Sequence, residues 1–210
     1  MDFIDEQVAA YLRGLCDHYD EPVLVEMENL GKELKFPIVG RVVGAALEML
    51  AFSIRARRVF ELGSGFGFSA YWFARAVGDQ GEVTLTDTDP ENTERSKEFL
   101  SRAGLAKPCR FVTEDAVSAL DASEGEFDVI YCDIDKEGYP AAFEASRMRI
   151  RVGGYFLCDN ALWSGRVARD DDDPATSAIR SLNQMVYSDR RFLPTIIPIR
   201  DGLLAALRIG

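Results

Sequence analysis

The sequence predicts an α/β protein with a doubly wound, mostly parallel sheet of seven strands, which ends in an antiparallel hairpin and is preceded by N-terminal helices. Three observations predict this fold class. Short apolar runs alternate with helix-length segments from residue 59 onward. These runs are apolar on both faces, as in parallel strands that helices cover on both sides. The dipeptide Asp201-Gly202 joins the last two runs, as in a β-hairpin.

The segment before the first strand is predicted to be helical. Apolar residues recur at three- and four-residue spacing after Pro37 and through residues 42–54, which is typical of amphipathic helices. We therefore expect two or three helices in residues 1–57 and a sheet-containing core in residues 58–210. A chain of 210 residues has the length of one domain, so both parts are expected to share a single domain.

Five apolar runs, most of them with β-branched or aromatic residues, predict the parallel strands. They are residues 59–62, 83–86, 110–112, 129–132 and 155–158. The helices between them are predicted at residues 69–77, 90–103, 115–120 and 140–150. Pro90 suits the first turn of its helix, and Gly104 suits the residue after the end. A further helix near residues 175–188 leads to the hairpin runs, residues 195–199 and 203–209.

Composition and charge exclude several classes of function. The net charge of −11 disfavours broad binding to nucleic acid, which depends on clustered lysine and arginine, although a local basic patch is compatible with it. His18 is the only histidine, which excludes a zinc site built from several histidines, and we expect it at the surface. The cysteines stand singly and are expected to be buried free thiols; they are Cys16, Cys109, Cys132 and Cys158.

No membrane association is expected. No apolar stretch approaches the roughly 20 residues that span a bilayer. The first residues also lack the basic and then apolar pattern of a secretion signal. We therefore expect a cytoplasmic protein.

A glycine-rich segment, ELGSGFG at residues 61–67, follows the first predicted strand and opens the next helix. Its glycines let the backbone approach a ligand, and the N–H groups of the helix start face that ligand. A phosphate-binding P-loop would need Gly-Lys-Ser/Thr, and the dinucleotide fingerprint would need glycine where Phe68 stands. Glu61 would repel a pyrophosphate but attract the cationic amino and sulfonium groups of S-adenosylmethionine, which is the predicted cofactor.

Acidic residues at the next two strand ends extend this prediction. Asp87 ends the second strand, from which a carboxylate accepts hydrogen bonds from ribose hydroxyls in nucleotide-binding folds of this type. The alternative is that Asp87 only caps the helix at Pro90 and the glycines only form a tight turn. Asp115 and Ala116 follow the third strand, where the adenine is expected, although a helix N-cap explains Asp115 equally well.

Three oxygen-bearing side chains follow the fourth and fifth strands. Asp133 comes after the fourth strand, and Asp159 and Asn160 come after the fifth. Adjacent strand ends open on one crevice, so the three side chains are expected to converge there. Their oxygens suit a hard divalent cation such as Mg²⁺. Taken alone, the same residues would more often be helix caps and turn formers.

The motifs ELGSGFGFSA, TLTDTDPE, DVIYCDIDKEGYP and DNALWSGRVA occur in this order, followed by IPIRDGLLAALRI at the end. With these motifs the chain resembles, from about residue 36 to its C-terminus, the cation-dependent O-methyltransferases, the family of catechol and caffeoyl-coenzyme A O-methyltransferases and their bacterial relatives. The resemblance implies a Rossmann-like methyltransferase fold. It also implies an enzyme that transfers a methyl group from S-adenosylmethionine to a hydroxyl of a small catechol-like or vicinal-diol aromatic, with Mg²⁺ or another divalent cation such as Mn²⁺ or Ca²⁺.

Carried over by position, the resemblance implies that Asp133, Asp159 and Asn160 are metal ligands and that Lys136 is the general base. A phenol has a pKa near 10, so binding of its oxygen to Mg²⁺ would stabilise the phenolate. A nearby cation and partial burial would lower the pKa of Lys136 enough to accept the proton. The predicted cofactor site consists of Glu61, Gly63, Ser64, Gly65, Gly67, Ser69, Asp87, Asp115, Ala116 and Asp133.

Two other functions stay open. One is methylation of a hydroxylated tRNA base, for which a basic patch could bind phosphates; its candidates are Arg41, Arg55, Arg57 and Arg58. The other is non-catalytic binding of S-adenosylmethionine, against which the presence of Lys136 and the three ligand positions argues. Family members are often homodimers, and the apolar N-terminal helices are expected to supply the interface. Trp163 is a candidate wall of the acceptor pocket, with a core or interface role as the alternative.

Overall fold

The computed structural model describes residues 5–16 and 21–210. Three helices precede the sheet in this part of the chain: α1 (Glu6–Leu15), α2 (Pro22–Leu34) and α3 (Gly40–Ser53). Pro22 occupies the first turn of α2, and Lys35 ends that helix in the left-handed conformation. The predicted N-terminal helices are therefore confirmed. The surface position predicted for His18 lies outside the described residues.

The sheet contains seven strands in the order β3-β2-β1-β4-β5-β7-β6. The strands are β1 (Arg58–Leu62), β2 (Glu82–Asp87), β3 (Cys109–Thr113), β4 (Phe127–Cys132), β5 (Ile150–Cys158), β6 (Phe192–Ile197) and β7 (Leu203–Arg208). The first five are parallel, and β7 pairs antiparallel with both β5 and β6. The predicted doubly wound sheet with its closing hairpin is confirmed.

Helices cover both faces of the sheet. They are α4 (Phe68–Val77), α5 (Pro90–Arg102), α6 (Ala116–Ala122), α7 (Tyr139–Ser146) and α8 (Pro174–Ser188). One buried apolar cluster joins α2, α3, α4 and α5 to one face. A second cluster joins α6, α7 and α8 to the opposite face. Alternate residues of β1 enter the two clusters, which explains why the strand reads as apolar on both sides.

The contact between α3 and α4 depends on a glycine. A Cβ atom at Gly44 would lie 2.2 Å from the indole of Trp72, which is fully buried. This close approach leaves no space for a side chain between the two helices. The N-terminal helical segment is thereby packed directly onto the first helix of the core.

Two predicted boundaries were wrong. Residue 150 was assigned to a helix, but that helix ends at Ser146 and Ile150 begins β5. The early part of β5 contains Gly153 and Gly154, which lack the side chains that signal a strand. A Cβ at Gly154 would lie 2.6 Å from the carbonyl oxygen of Asp128, so this strand passes very close to β4. Similarly, β6 begins at Phe192 and tolerates Pro194 because it is an edge strand.

The cysteines of this chain are free thiols, as predicted; Cys109 is only half-buried, and the other three are buried. Among residues 5–16 and 21–210, every helix is too short or too polar to traverse a bilayer.

Candidate functional site

The candidate site lies at the carboxyl ends of the parallel strands. The strand order reverses between β1 and β4, and ligands of open α/β sheets bind in the crevice at such a point. Two cavities open there. The strand-end cavity has a volume of about 560 Å³ and is lined by residues that follow β1, β2, β3 and β4. The helix-side cavity has a volume of about 890 Å³ and lies between the N-terminal helices and the residues that follow β5 and β6.

The glycine-rich turn lines the strand-end cavity in a conformation that requires glycine. Gly63 has a φ of +81° and Gly65 a φ of +51°. A Cβ at Gly63 would lie 2.6 Å from the carbonyl oxygen of Asp133. A Cβ at Gly65 would lie 2.8 Å from the ring of Phe36. The turn therefore needs glycine to fit its neighbours, and it also leaves the backbone of Gly63, Ser64 and Gly65 open to the cavity.

Glu61 lies behind this turn and is completely buried. Burial raises the pKa of Glu61 to about 8, and the charge of Asp133 acts in the same direction. The hydroxyls of Ser69 and Ser64 favour the ionised form but make no hydrogen bond of standard geometry to the carboxylate. Both carboxylate oxygens thus lack a partner in the described chain, and a buried acid of this kind is suited to a cationic or hydrogen-bond-donating ligand.

Asp87 and Asp115 both line the strand-end cavity. The cap of α5 is Asp89, whose side chain accepts a hydrogen bond from the backbone N–H of Glu91 at 2.8 Å. Asp87 does not make this cap, but its carboxylate accepts from the backbone N–H of Asp89 at 2.8 Å and from the side-chain amide of Asn92 at 3.3 Å, so a purely local role stays the alternative to ribose binding. Asp115 does cap α6, since it accepts from the backbone N–H of Ser118 at 2.9 Å. This hydrogen bond lowers the pKa of Asp115.

Asp133 and Asp159 interact at the ends of β4 and β5. Burial and the charge of Asp133 raise the pKa of Asp159 to about 7. The Oδ1 atom of Asp159 is buried and has no hydrogen-bond partner in the described chain. Asn160 has a φ of +58° and uses its amide nitrogen to donate to Oδ2 of Asp201 at 3.4 Å. Its amide oxygen is the atom type that a hard cation would bind.

These residues fit a divalent cation chemically. Two carboxylates repel one another, one of them has an unpaired buried oxygen, and an amide is adjacent to it. No group of three His, Cys, Asp or Glu side chains converges in residues 5–16 and 21–210, so the predicted ligand set depends on Asn160 as its third member. Asp133 lines the strand-end cavity and Asn160 lines the helix-side cavity. Asp133 and Asn160 therefore border neighbouring cavities, whereas Asp159 is buried and lines neither of them.

Lys136 forms an ion pair with Asp133, with Nζ 3.0 Å from Oδ1. Burial alone would lower the pKa of Lys136, but the charge of Asp133 and the hydrogen bond to it outweigh burial, and the pKa of Lys136 is raised. The predicted lowering depends on a nearby cation and stays a prediction. The Nζ atom also lies 5.9 Å from the ring centroid of Trp163, which packs against the second apolar cluster as well.

Several residues of the site were not predicted. Residues 36–39 line both cavities, and no pattern in the sequence marks them as ligand-facing. Thr86 holds the glycine-rich turn: its hydroxyl donates to the carbonyl oxygen of Glu61 at 2.7 Å, and its N–H donates to the hydroxyl of Ser64 at 3.1 Å. A threonine one residue before the strand-ending acid was the only available signal for it.

One arginine of the predicted basic patch lies apart from the others. Arg58 begins β1, and Arg57 immediately precedes it, so both lie at the amino end of that strand. Arg41 instead lines the helix-side cavity at the other end, where it binds Glu28 through two hydrogen bonds of 2.8 and 2.9 Å. Arg41 therefore does not share a surface with Arg57 and Arg58.

A family model described as O-methyltransferase matches residues 17–209. The chain is 34% identical to a catechol O-methyltransferase of Mycobacterium tuberculosis, with 79% of this chain and 77% of that protein covered. It is 31% identical to a probable caffeoyl-CoA O-methyltransferase of Dictyostelium discoideum, with 78% and 74% covered.

Solved structures show the same architecture. A methyltransferase from Geobacter sulfurreducens superposes with a TM-score of 0.85 at 26% identity, covering 99% of this chain and 98% of that one. The O-methyltransferase TomG from Streptomyces achromogenes, solved in complex with S-adenosylmethionine, superposes with a TM-score of 0.81 at 25% identity, covering 90% and 91%.

Proposed function

Because this chain belongs to the O-methyltransferase family and is a methyltransferase enzyme, we propose that it transfers a methyl group from S-adenosylmethionine to a hydroxyl of a small aromatic diol with the help of a divalent cation. One observation carries the proposal. Glu61 and Asp159, two buried acids with unpaired oxygens, flank the Asp133–Lys136 ion pair at neighbouring strand ends. In this set Glu61 can face a cationic cofactor, the two aspartates can bind a cation through their oxygens, and Lys136 can accept a proton.

The strand-end cavity is proposed as the cofactor site. Glu61, together with Ser64 and Ser69, faces the charge of the amino and sulfonium groups. Asp87 accepts hydrogen bonds from the ribose hydroxyls. Asp115 and Ala116, at the start of α6, border the adenine. The role of Glu61 is supported by its burial behind the glycine-rich turn that lines this cavity. The roles of the other residues are supported by their position around one cavity at the switch point of the sheet.

Asp133, Asp159 and Asn160 would hold the cation, which Mg²⁺ fits by the hardness of their oxygens. When bound, the cation would supply positive charge that stabilises the phenolate form of the acceptor. Lys136 accepts the hydroxyl proton at Nζ when its ion pair with Asp133 is broken. Burial then lowers the pKa of Lys136 and favours the neutral amine. The acceptor oxygen forms a bond to the methyl carbon while the bond from that carbon to sulfur breaks, leaving S-adenosylhomocysteine.

The test is methyl transfer to catechol. Purified protein with S-adenosylmethionine, catechol and Mg²⁺ is expected to form the monomethyl ether, detected by mass spectrometry, and a chelator is expected to abolish the product. Asp159→Asn should remove the Mg²⁺ response, whereas Asp121→Asn, at an exposed position outside both cavities, should keep it. Undiminished product in metal-free buffer would contradict the cation dependence, and cofactor binding without turnover on a broad panel of hydroxylated acceptors would contradict the activity.

We also propose that the protein is a homodimer of the cytoplasm. Val8, Tyr11 and Leu15 are exposed at three- and four-residue spacing on one face of α1, which packs against α3. Met49 and Phe52 are exposed on α3. These apolar side chains suit an interface between two copies. Light scattering should give the mass of a dimer for the wild type and of a monomer for Phe52→Glu; a monomeric wild type would contradict the proposal.

A further inference from the structure

We propose that the methyl acceptor is an anion and that Lys32, Lys35 and Arg200 bind its carboxylate or phosphate in the helix-side cavity. The inference rests on the proposed function, because it names the class of acceptor for that same site. The cavity is of a size that holds small organic ligands, and Asn160 and Ser164 border it. It shares residues 36–39 with the strand-end cavity, so a molecule bound in it lies beside the proposed methyl donor.

The charges around this cavity are unevenly paired. Among the described residues, five basic and three acidic side chains line it. Glu28 is engaged by Arg41 and Glu6 by Arg13. Asp201 accepts from the backbone N–H of Ser164 and from the amide of Asn160. All three acids are therefore already occupied by donors within the chain.

Two of the basic side chains that remain have no acidic partner among the described residues. Lys32 and Lys35 are exposed and make no ion pair with any residue in the described ranges 5–16 and 21–210. Arg200 forms a long ion pair with Oδ2 of Asp159, at 3.8 Å. Lys32 and Lys35 thus border the cavity without carboxylates of their own, and together with Arg200 they give it positive charge that an anionic ligand would neutralise.

The charge of the cavity is opposite in sign to the net charge of the chain. Its net charge of −11 repels small anions over long distances, yet the cavity beside the proposed ligands carries an excess of positive charge. Phe36, Ile38 and Ile199 line the same cavity and offer apolar surface for an aromatic ring. An acceptor that combines a ring with an acidic group would match both kinds of lining, whereas a neutral catechol would use only one.

The experiment compares acceptors that differ in charge but have similar rings. The pairs are 3,4-dihydroxybenzoate with 3,4-dihydroxybenzamide, and 3,4-dihydroxybenzyl phosphate with 3,4-dihydroxybenzyl alcohol. The wild type is expected to show a higher kcat/KM for the anionic member, mainly through a lower KM. The first pair tests a carboxylate and the second a phosphate, so the favoured pair identifies the anionic group.

The lysines are tested by Lys32→Gln, Lys35→Gln and the double variant. Each single change should reduce kcat/KM for the anionic acceptor roughly fivefold, with the neutral acceptor unchanged, since a partly exposed ion pair contributes at most about 1 kcal/mol. Lys97→Gln changes the same residue type at an exposed position outside the cavity and should have no effect. Added salt should weaken the preference more in the wild type than in the double variant, which keeps only Arg200.

Calorimetry separates the two hypotheses. Binding of 3,4-dihydroxybenzoate to the protein with S-adenosylhomocysteine should be weaker in the double variant, whether or not turnover occurs. Equal kcat/KM values within both pairs, or an anion preference that is undiminished in the double variant, would overturn the inference while leaving the proposed function intact. If no acceptor is methylated, the proposed function fails; anion binding that is the same in wild type and double variant then overturns the inference as well. Methylation of tRNA alone would also overturn it.

Discussion

Replacing Glu61 with glutamine should remove a pH dependence of stability that the wild-type chain carries because of this buried acid. The pKa of Glu61 is raised to about 8 in the folded chain by burial, against an ordinary value of 4.5. Between these values the folded chain keeps a proton that the unfolded chain loses. The resulting stability is complete below pH 4.5 and is lost as the pH rises through 8.

The size of the effect follows from the same shift. A difference of about 3.5 pKa units at about 1.4 kcal/mol per unit gives an upper limit of about 5 kcal/mol across the window. Glutamine resembles the protonated acid in shape and does not ionise. The free energy of unfolding of Glu61→Gln minus that of the wild type should therefore increase steadily from pH 5 to pH 8.

The assay is urea unfolding at several pH values in metal-free buffer without cofactor, with Glu94→Gln as the control at an exposed position of α5. Other groups that titrate in this range are common to both proteins and cancel in the difference. A difference that is flat with pH would refute the assignment of Glu61 as a buried acid with a raised pKa.

Cofactor binding gives a second measurement of the same group. A cationic ligand beside Glu61 favours its ionised form, so S-adenosylmethionine should release a proton on binding between about pH 6 and 7. The enthalpy measured by calorimetry should then depend on the ionisation enthalpy of the buffer in the wild type and lose that dependence in Glu61→Gln. Equal buffer dependence in the two proteins would mean that Glu61 does not face the cofactor charge.

Three further predictions concern other parts of the molecule. Gly44→Ala should destabilise the protein by about 1–3 kcal/mol in urea unfolding, because its Cβ would overlap the indole of Trp72. Gly14→Ala is the control, since open space surrounds Gly14, and it should not destabilise the protein. Equal effects of the two substitutions would refute the packing argument. Lys136→Met should reduce kcat at least roughly a hundredfold while calorimetry shows unchanged cofactor binding, as for loss of a general base; retained turnover would exclude that role. Asp159→Asn should stabilise the cation-free chain against urea unfolding at pH 8. Burial and the charge of Asp133 raise the pKa of Asp159 to about 7, so the wild type carries an unfavourable buried charge at that pH. Lower stability of the variant than of the wild type would show that the ion pair with Arg200 outweighs burial.

Local pattern was sufficient to predict most of the fold. The strand at residues 58–62 reads as apolar on both sides because its alternate residues enter two separate cores. The start of β5 was missed because Gly153 and Gly154 carry no side chains, and only the close passage against β4 shows why they belong to a strand. The sequence offered Asp87 as a possible cap of α5, but the structure shows Asp89 in that role through its hydrogen bond from the backbone N–H of Glu91.

The sequence by itself determined the succession of strands and helices along the chain, the glycine-rich turn after Glu61 and the acids at the strand ends. Periodicity and turn chemistry depend on residues that are neighbours in the chain, so they can be read from it directly. Only the tertiary structure decided that Glu61 and Asp159 have unpaired oxygens, that Asp133 raises the pKa of Lys136 and that Arg41 and Arg58 lie at opposite ends of β1. It also brought Lys32 of α2 and Arg200 of the hairpin loop to one cavity. Burial and electrostatic pairing depend on residues that are distant along the chain, so no local pattern of the sequence predicts which side chains are buried or paired.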